Sequence, residues 1–366
     1  MIARAPERVA WDYRRLRAYL HERPARTRFE RFIETLAMPR TLFLFFTSGL
    51  LHFVCKNLEF VPASQPLVLI GAGLTAGEEA WIRRSIPRPF HHIDEHVDDR
   101  VVWEFLFETA GSDFGWLDVD CFVQNPALFT DLFTFDRDVA LNCVWSYQAR
   151  GNHRMLCTHL LAVQHAVMRR VRRRVSVSPS VYSFEPVPRA GYKRGCARPP
   201  TRSQLRLIER VFPLDGKGRQ SCPSWLPEKG FLPFFDTLTM YQLCAEGLGY
   251  RLHAVRDLQG TNTLERHFSD EVVHVNAASY YRDWKNGTDA EQRRYRLLLT
   301  FDYLLIRSLI DRLPSEYVER MASTHAALIE VGIPIPELAE RVRTVFRTRG
   351  VGAHVFERDE WRFLHA

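Results

Sequence analysis

The stretch FGWLDVDCFV, residues 114–123, decides the fold expected for this chain. Its two carboxylates, Asp118 and Asp120, stand among apolar residues, a composition that predicts a short buried strand. Burying a carboxylate is costly unless it is paired or bound to a cation. Strand alternation sends both aspartates to the same side, where they repel each other. We therefore expect a divalent metal at the end of this strand, with its shell completed by oxygens of a phosphorylated ligand.

Strand and helix patterns alternate on the N-terminal side of this stretch. Three apolar runs predict strands, at 41–47, 66–71 and 90–93. The segments that follow them have helical periodicity, at 50–60, 75–82 and 97–109. This order predicts an α/β fold with a Rossmann-like, mostly parallel sheet and right-handed crossovers. In such sheets ligands bind outside the carboxyl ends of the strands, which is where Thr47, Ser48, Gly71 and the two aspartates stand.

Length and composition predict a globular protein with a large core. The chain has 366 residues, of which 46% are apolar and 25% charged. Its longest apolar run, 41–54, is too short to span a bilayer and lies too far into the chain to be a signal peptide. Seven cysteines without a CxxC pair favour reduced thiols over a disulfide or zinc framework, so we expect a cytoplasmic protein.

The net charge of +7 is unevenly distributed. Residues 169–219 hold fourteen Lys or Arg against three acids, and the first forty residues hold ten Arg against five acids. Such an excess favours anionic partners, namely a phosphorylated acceptor, a membrane surface or nucleic acid. A solvated basic face explains the N-terminal excess equally well.

Two polar residues further along are candidates for the same site. Asp236 precedes a helical pattern that stops at Gly247, and a strand pattern at 251–255 follows; an N-cap is the plain alternative for this acid. His274 lies near the end of an apolar strand at 271–276, where a core histidine is the plain alternative.

These motifs, in this order, resemble the nucleotide-sugar glycosyltransferases of the type A fold (GT-A) over about residues 40–285. The resemblance implies a DxD site in which Asp118, Asp120 and His274 hold a divalent metal, Mn²⁺ or Mg²⁺. It implies that Asp236 acts as catalytic base, with inversion slightly favoured over retention. Inverting members usually have Glu-Asp here, whereas Phe235 precedes Asp236 in this chain.

The resemblance also implies the partners. The donor would be a nucleotide-sugar, bound by residues at the strand ends and the following helix: Thr47, Ser48, Gly71, Arg100, Asp118 and Asp120. The acceptor would be a saccharide or glycolipid, anionic in character and bound by Arg172, Arg173 and Trp225. The alternative is that the arginines of the 169–219 segment only form a solvated surface. Basic segments would allow peripheral contact with the inner membrane face, and no nucleic-acid partner is expected.

The predicted organisation is sequential. An N-terminal helical segment (1–39), broken near Pro24, precedes a glycosyltransferase domain at 40–285. Within that domain, 40–145 is the donor half and 146–285 the acceptor half. Residues 286–366 form a C-terminal helical appendage.

Three other classes of protein share some of these features. Haloacid-dehalogenase-like phosphohydrolases also use Asp-x-Asp after a strand, but on their first strand, whereas three strand-helix units precede Asp118. A non-catalytic nucleotide or nucleic-acid binder would use the basic stretches with aromatic residues such as Tyr182. A nucleotidyltransferase would need a Gly-rich basic loop after its first strand, and the sequence has none there.

Overall fold

Strands and helices alternate along the chain as the sequence predicts. A computed structural model describes residues 5–36, 39–95, 97–148, 153–184, 197–212, 234–259 and 268–365. The strands are β1 (Thr41–Thr47), β2 (Leu67–Ala72), β3 (Phe90–Ile93), β4 (Phe114–Asp118), β5 (Cys121–Val123), β6 (Val139–Gln148), β7 (Arg154–Leu156), β8 (Leu160–Val163), β9 (Tyr182–Ser183), β10 (Phe234–Phe235), β11 (Arg251–Gln259) and β12 (Val272–His274). The helices are α1 (Ala5–Glu34), α2 (Leu51–Phe60), α3 (Ala76–Ser85), α4 (Asp99–Thr109), α5 (Ala127–Leu132), α6 (His165–Val175), α7 (Arg202–Ile208), α8 (Thr239–Gly247), α9 (Asp289–Leu309), α10 (Glu316–Glu330), α11 (Leu338–Thr348) and α12 (Ala353–Phe356).

An eight-stranded, mostly parallel sheet forms the centre of the fold, in the order β11-β6-β8-β4-β1-β2-β3, with β7 paired to β6. Strand β6 runs parallel to β11 and antiparallel to β7 and β8. Two smaller pairs, β9 with β10 and β5 with β12, are antiparallel. The predicted α/β fold with a mostly parallel sheet is therefore confirmed.

The strand-helix units before Asp118 form with bounds close to the predicted ones. Every residue of β2 is buried, as a strand covered on both faces requires. Helix α3 begins with a capping box, in which the Thr75 side chain accepts from the Glu78 amide and the Glu78 carboxylate accepts from the Thr75 amide.

Two local predictions were wrong. The DxD stretch is not one strand, because β4 ends at Asp118 and β5, beginning at Cys121, leaves the sheet to pair with β12. Helix α1 is not broken, although Pro24 lies inside it. A proline inside a helix loses one backbone hydrogen bond. The buried face of α1, which carries Trp11, Ala25 and Phe29, offsets that loss.

Contacts within the chain divide the molecule into two compact units. The first unit contains residues 1–43, 93–116 and 130–263. The second unit contains 44–92, 117–129 and 264–366. Segments distant in sequence thus share a unit. The predicted domains at 1–39, 40–285 and 286–366 stay a prediction.

The core of the second unit contains an aromatic cluster built from distant segments. Phe122 of β5 packs 6.5 Å from Phe53 of α2 and 5.9 Å from Phe301 of α9, measured between ring centroids. Phe346 and Trp361 pack around Phe301 at 6.0 and 6.4 Å. The C-terminal helices therefore contribute to the core that surrounds the DxD turn.

Candidate metal and donor site

The turn between β4 and β5 sets the position of both aspartates. Asp118 is the last residue of β4, and Asp120 lies in the turn just before β5. The Asn57 side-chain amide, from α2, donates to the carbonyls of Asp118, Val119 and Cys121 at 3.3, 3.2 and 2.8 Å. One buried amide thus holds the backbone around both carboxylates.

The pairing of β12 with β5 brings in His274. In the antiparallel register His274 lies opposite Cys121, next to the aspartate turn. Its Nε2 atom is 3.2 Å from Asp120 Oδ1 and 3.7 Å from Asp118 Oδ2. Candidate ligand atoms of Asp118, Asp120 and His274 all lie within 4.8 Å of one another.

Burial distinguishes the three side chains. Asp120 and His274 are 5% and 4% exposed, whereas the Asp118 side chain is 36% exposed. Burial raises the pKa of the Asp120 carboxyl. The neighbouring His274 and the hydrogen bond from the Ala278 amide together lower that pKa by more, so it lies below the ordinary value for an aspartate. Two carboxylates and an imidazole at this spacing match the donor set of a Mn²⁺ or Mg²⁺ site.

The backbone after His274 adds contacts that the sequence did not predict. The Val275 amide donates to the Asp120 carbonyl at 3.0 Å, and the Ala278 amide donates to Asp120 Oδ2 at 2.9 Å. Between them Asn276 and Ala277 have φ values of 57° and 69°, in the left-handed region that side chains rarely adopt. Backbone amides and a single asparagine carry no sequence motif, so the hydrogen bonds that they make to this turn could not be predicted from the sequence.

The predicted donor-binding residues Thr47, Ser48 and Gly71 lie in the second unit, as the two aspartates do. Thr47 is half-buried and Ser48 is exposed in the turn after β1. Gly71 is buried in β2, and a Cβ there would lie 2.5 Å from Leu74 Cδ1. Their role in donor binding stays a prediction.

Arg100 has a structural environment in the first unit. It is 3% exposed, and its guanidinium pairs with Glu22 at 2.5 Å and with Glu104 at 3.2 Å. The pair with Glu22 joins α4 to α1, whereas the pair with Glu104 lies within α4. Its predicted contact with the donor stays a prediction.

Asp236 is half-buried just before α8 but does not cap that helix. The N-cap residue is Leu238, and Asp236 Oδ1 instead accepts from the Thr237 amide at 2.8 Å. The plain alternative of an N-cap is therefore wrong for this residue.

Two of the three predicted acceptor residues, Arg172 and Arg173, lie in the part of the chain that the structure describes. Arg172 is half-buried on α6 and donates a hydrogen bond to the Phe107 carbonyl. Burial is the main cause that lowers the pKa of Arg172, and the positive charges of Arg198 and Arg169 lower it as well. Arg173 is exposed and lines a groove of about 330 Å³ with Arg170, Arg174, Leu248 and Tyr250. Trp225 lies outside the described residues.

Within the described ranges, no helix combines the length and the apolar character needed to cross a membrane.

Comparison with known proteins identifies the class. Residues 19–168 match the family described as StrH glycosyltransferase N-terminal domain. This match spans β1 to β8 and both aspartates, which is less than half of the chain, and it confirms the resemblance to nucleotide-sugar glycosyltransferases. The phosphohydrolase and non-catalytic alternatives are not favoured.

A particular relative is dTDP-dihydrostreptose–streptidine-6-phosphate dihydrostreptosyltransferase from Streptomyces griseus. The two chains are 27% identical over 285 residues, which cover 69% of this chain and 71% of the relative.

Solved structures with related folds show weak overall similarity. Glucosyl-3-phosphoglycerate synthase from Mycobacterium tuberculosis, solved with Mn²⁺, uridine diphosphate and phosphoglyceric acid, has 12% identity and a TM-score of 0.29. That match covers 51% of this chain and 69% of the other. The glycosyltransferase GlyE from Streptococcus pneumoniae has 11% identity and a TM-score of 0.28, and the match covers 46% of each chain, less than half of that protein.

Proposed function

We propose that this chain transfers a sugar from a nucleoside-diphosphate sugar to an acceptor hydroxyl with the help of a divalent metal. One observation carries the proposal: Asp118, Asp120 and His274 converge within 4.8 Å. Asp120 and His274 are nearly buried, so they suit direct ligation, and the more exposed Asp118 suits the side from which the donor arrives. A metal held there neutralises the charge that develops on a diphosphate leaving group.

Asp236 is the proposed catalytic base. A base must reach the attacking hydroxyl and remain ionised near neutral pH. Asp236 is half-buried, and its Oδ1 accepts a hydrogen bond from the Thr237 amide. With this role the reaction would invert the anomeric centre.

A donor screen tests the reaction. Nucleotide sugars, beginning with dTDP-sugars because of the relative's donor, are incubated with the chain and Mn²⁺, and release of nucleoside diphosphate is followed. Asp120→Asn should remove the metal-dependent release. The matched control is Asp138→Asn, because Asp136 and Asp138 repeat the Asp-x-Asp spacing but are 73% and 54% exposed and paired to Arg251. Equal loss in both variants, or no release from any donor, contradicts the proposal.

The base is tested separately from the donor site. Asp236→Asn should abolish transfer to the acceptor while donor affinity stays within about two-fold, because the substitution removes a proton acceptor and keeps the side-chain shape. Product stereochemistry, determined by NMR, should show inversion. Transfer that survives in Asp236→Asn would remove the base role and favour retention.

The proposed acceptor is an anionic saccharide, such as a sugar phosphate. The groove beside Arg173 presents three arginine side chains with Tyr250, and Arg170 is held there by donating to the Tyr250 hydroxyl at 3.2 Å. Guanidinium groups bind phosphate through paired hydrogen bonds. The relative's name gives a phosphorylated acceptor, streptidine-6-phosphate, which agrees with this chemistry.

Salt and substitution test the acceptor. Affinity for a phosphorylated acceptor should fall steeply between low and physiological ionic strength, where the screening length contracts to about 8 Å. Arg173→Gln should weaken binding, whereas Arg362→Gln, at a side chain 73% exposed, should not. An unphosphorylated acceptor that binds equally well would contradict an anionic acceptor.

Peripheral membrane contact belongs to the same proposal, because a lipid-linked acceptor would place these arginines near anionic headgroups. Sedimentation with anionic vesicles, compared with neutral ones, is the measurement. Equal binding to both would contradict an electrostatic contact.

A further inference from the structure

The turn after β1 is held by hydrogen bonds from distant parts of the second unit. It comprises Thr47, Ser48, Gly49 and Leu50, and is followed by α2. Gly49 has a φ of 84°, and a Cβ on it would lie 2.6 Å from Arg320 Nη1. The backbone at Gly49 is therefore in the left-handed region and lies close to the Arg320 side chain, so we expect the conformation of the turn to depend on the contacts made by neighbouring residues.

The Glu78 carboxylate connects this turn with the turn after β2. Its Oε1 atom accepts from the Gly49 amide at 2.8 Å, and its Oε2 atom accepts from the Thr75 amide at 3.1 Å. Glu78 is 1% exposed. A capping box requires only the Thr75 contact, so the bond to Gly49 is an additional function of this carboxylate.

Tyr317 completes the connection. Its hydroxyl donates to Glu78 Oε1 at 2.7 Å and accepts from the Leu51 amide at 2.9 Å. The neighbouring Glu316 accepts from the Thr75 hydroxyl at 2.6 Å. The first turn of α10 thus contacts both strand-end turns through side chains placed next to each other.

A buried charged group supports Tyr317 from behind. The His52 ring lies 5.6 Å from the Tyr317 ring, and its Nε2 is 2.5 Å from Asp302 Oδ1. Asp302 is fully buried, and Oδ2 accepts from the Tyr281 hydroxyl at 2.8 Å and from Arg282 at 3.1 Å. These contacts restrict movement of α2 and α9 against α10, so the tyrosine hydroxyl has a fixed position.

We infer that Tyr317 and Glu78 are positioning residues for donor binding: through the amides of Gly49 and Leu51 they hold the turn at which Thr47 and Ser48 receive the nucleotide, and through the Thr75 amide Glu78 ties it to the turn after β2. This inference rests on the proposed function. Neither side chain touches the donor in this scheme. Their effect passes through the backbone of this turn, to which both side chains are hydrogen-bonded.

Tyr317→Phe tests the inference, because it removes one hydroxyl and keeps the ring. We expect nucleoside-diphosphate binding with Mn²⁺, measured by calorimetry, to weaken about ten-fold, since the lost bond involves a charged acceptor and leaves the Leu51 amide unsatisfied. The donor KM should rise to a similar extent, with kcat within about two-fold. Deuterium exchange at Gly49 and Leu51 should accelerate. The control is Tyr295→Phe, at a 5% exposed tyrosine whose ring packs on Tyr281 rather than on the turn.

A second variant keeps the inference open to refutation. Glu78→Gln retains an acceptor oxygen and should lose less affinity than Glu78→Ala. Adding Tyr317→Phe to Glu78→Ala should cost less than Tyr317→Phe costs in the parent, because the bond between the two side chains is already absent and only the bond to the Leu51 amide remains to be lost. A parent chain that binds no nucleotide overturns the proposed function and this inference with it. A parent that binds, with Tyr317→Phe equal to Tyr295→Phe in affinity and KM, overturns this inference alone.

Discussion

At the scale of single residues, Asp120 shows how a buried carboxylate, which is unfavourable on its own, is stabilised by its neighbours. Its carboxylate is nearly buried, and the cost is offset by His274 and by the Ala278 amide. The sequence predicted the carboxylate pair and the histidine because their residue types are typical of metal sites. It could not predict Asn57, which holds the same turn with an amide that any buried asparagine carries.

Metal binding should stabilise the protein through these residues. Adding Mn²⁺ should raise the melting temperature of the parent, because a ligand that binds only the folded state shifts the equilibrium toward it. The shift should disappear in His274→Gln and persist in His253→Gln, a histidine whose Nδ1 lies 3.1 Å from Asn142 Oδ1 in the first unit. The measurement is thermal unfolding with and without metal. A shift that persists in His274→Gln would contradict ligation by this histidine.

His52 should make stability depend on pH. Burial lowers its pKa below the ordinary value, although Asp302 raises it. The unfolded histidine, with a pKa of about 6.5, takes up a proton that the folded one does not, so the free energy of unfolding should fall below that pH by up to about 1.4 kcal/mol per unit. Denaturant unfolding at pH 7.5 and 5.5 measures it. His52→Gln, which keeps a donor for Asp302, should show a smaller decrease; an equal decrease would assign the effect to other groups.

At the scale of elements, the sequence predicted well those strands and helices whose bounds are set by interactions between neighbouring residues. Strand β1 and helix α3 formed with nearly the predicted bounds, because their apolar patterns and the Thr75 capping box act over a few residues. The break after Asp118 escaped prediction because β5 pairs with β12, a partner far along the chain. The continuity of helix α1 through Pro24 was not predicted for a similar reason, because the packing of its buried face against the rest of the first unit offsets the effect of the proline.

Contact between α7 and α8 should depend on one glycine. A Cβ on Gly247 would lie 2.5 Å from the Leu207 carbonyl oxygen, and a backbone atom cannot turn aside as a side chain can. Gly247→Ala should therefore lower the free energy of unfolding by about 1–3 kcal/mol, as overpacking does. Gly111→Ala is the control, because a Cβ there meets nothing within 4 Å. Chemical denaturation of both variants compares them, and equal stability would contradict close packing at Gly247.

At the scale of the whole molecule, the two units are each assembled from separated segments. The sequence predicted a C-terminal appendage because the helical pattern after residue 286 carries no motif. In the structure Phe301, Phe346 and Trp361 from that segment belong to the same core as Phe53 and Phe122. Periodicity identifies a helix, but it does not identify which surface the helix covers.

Removal of residues 286–366 should therefore unfold the second unit rather than trim it. The truncated chain would expose Phe53 and Phe122, which are fully buried in the complete chain. We expect loss of cooperative thermal unfolding and aggregation, followed by circular dichroism and size-exclusion chromatography. A truncated chain that melts cooperatively and still responds to Mn²⁺ would instead support the predicted C-terminal appendage.

The β5–β12 pair also has a consequence for synthesis on the ribosome. Asp118 and Asp120 emerge early, whereas His274 and Ala278 follow on the order of 150 residues later, about ten seconds or more at usual elongation rates. During that interval the carboxylates have neither the imidazole nor the amide that offsets their burial. The nascent chain should therefore be unable to retain a divalent ion at this turn until His274 and Ala278 have been made, so the aspartates wait for a partner strand that is translated much later.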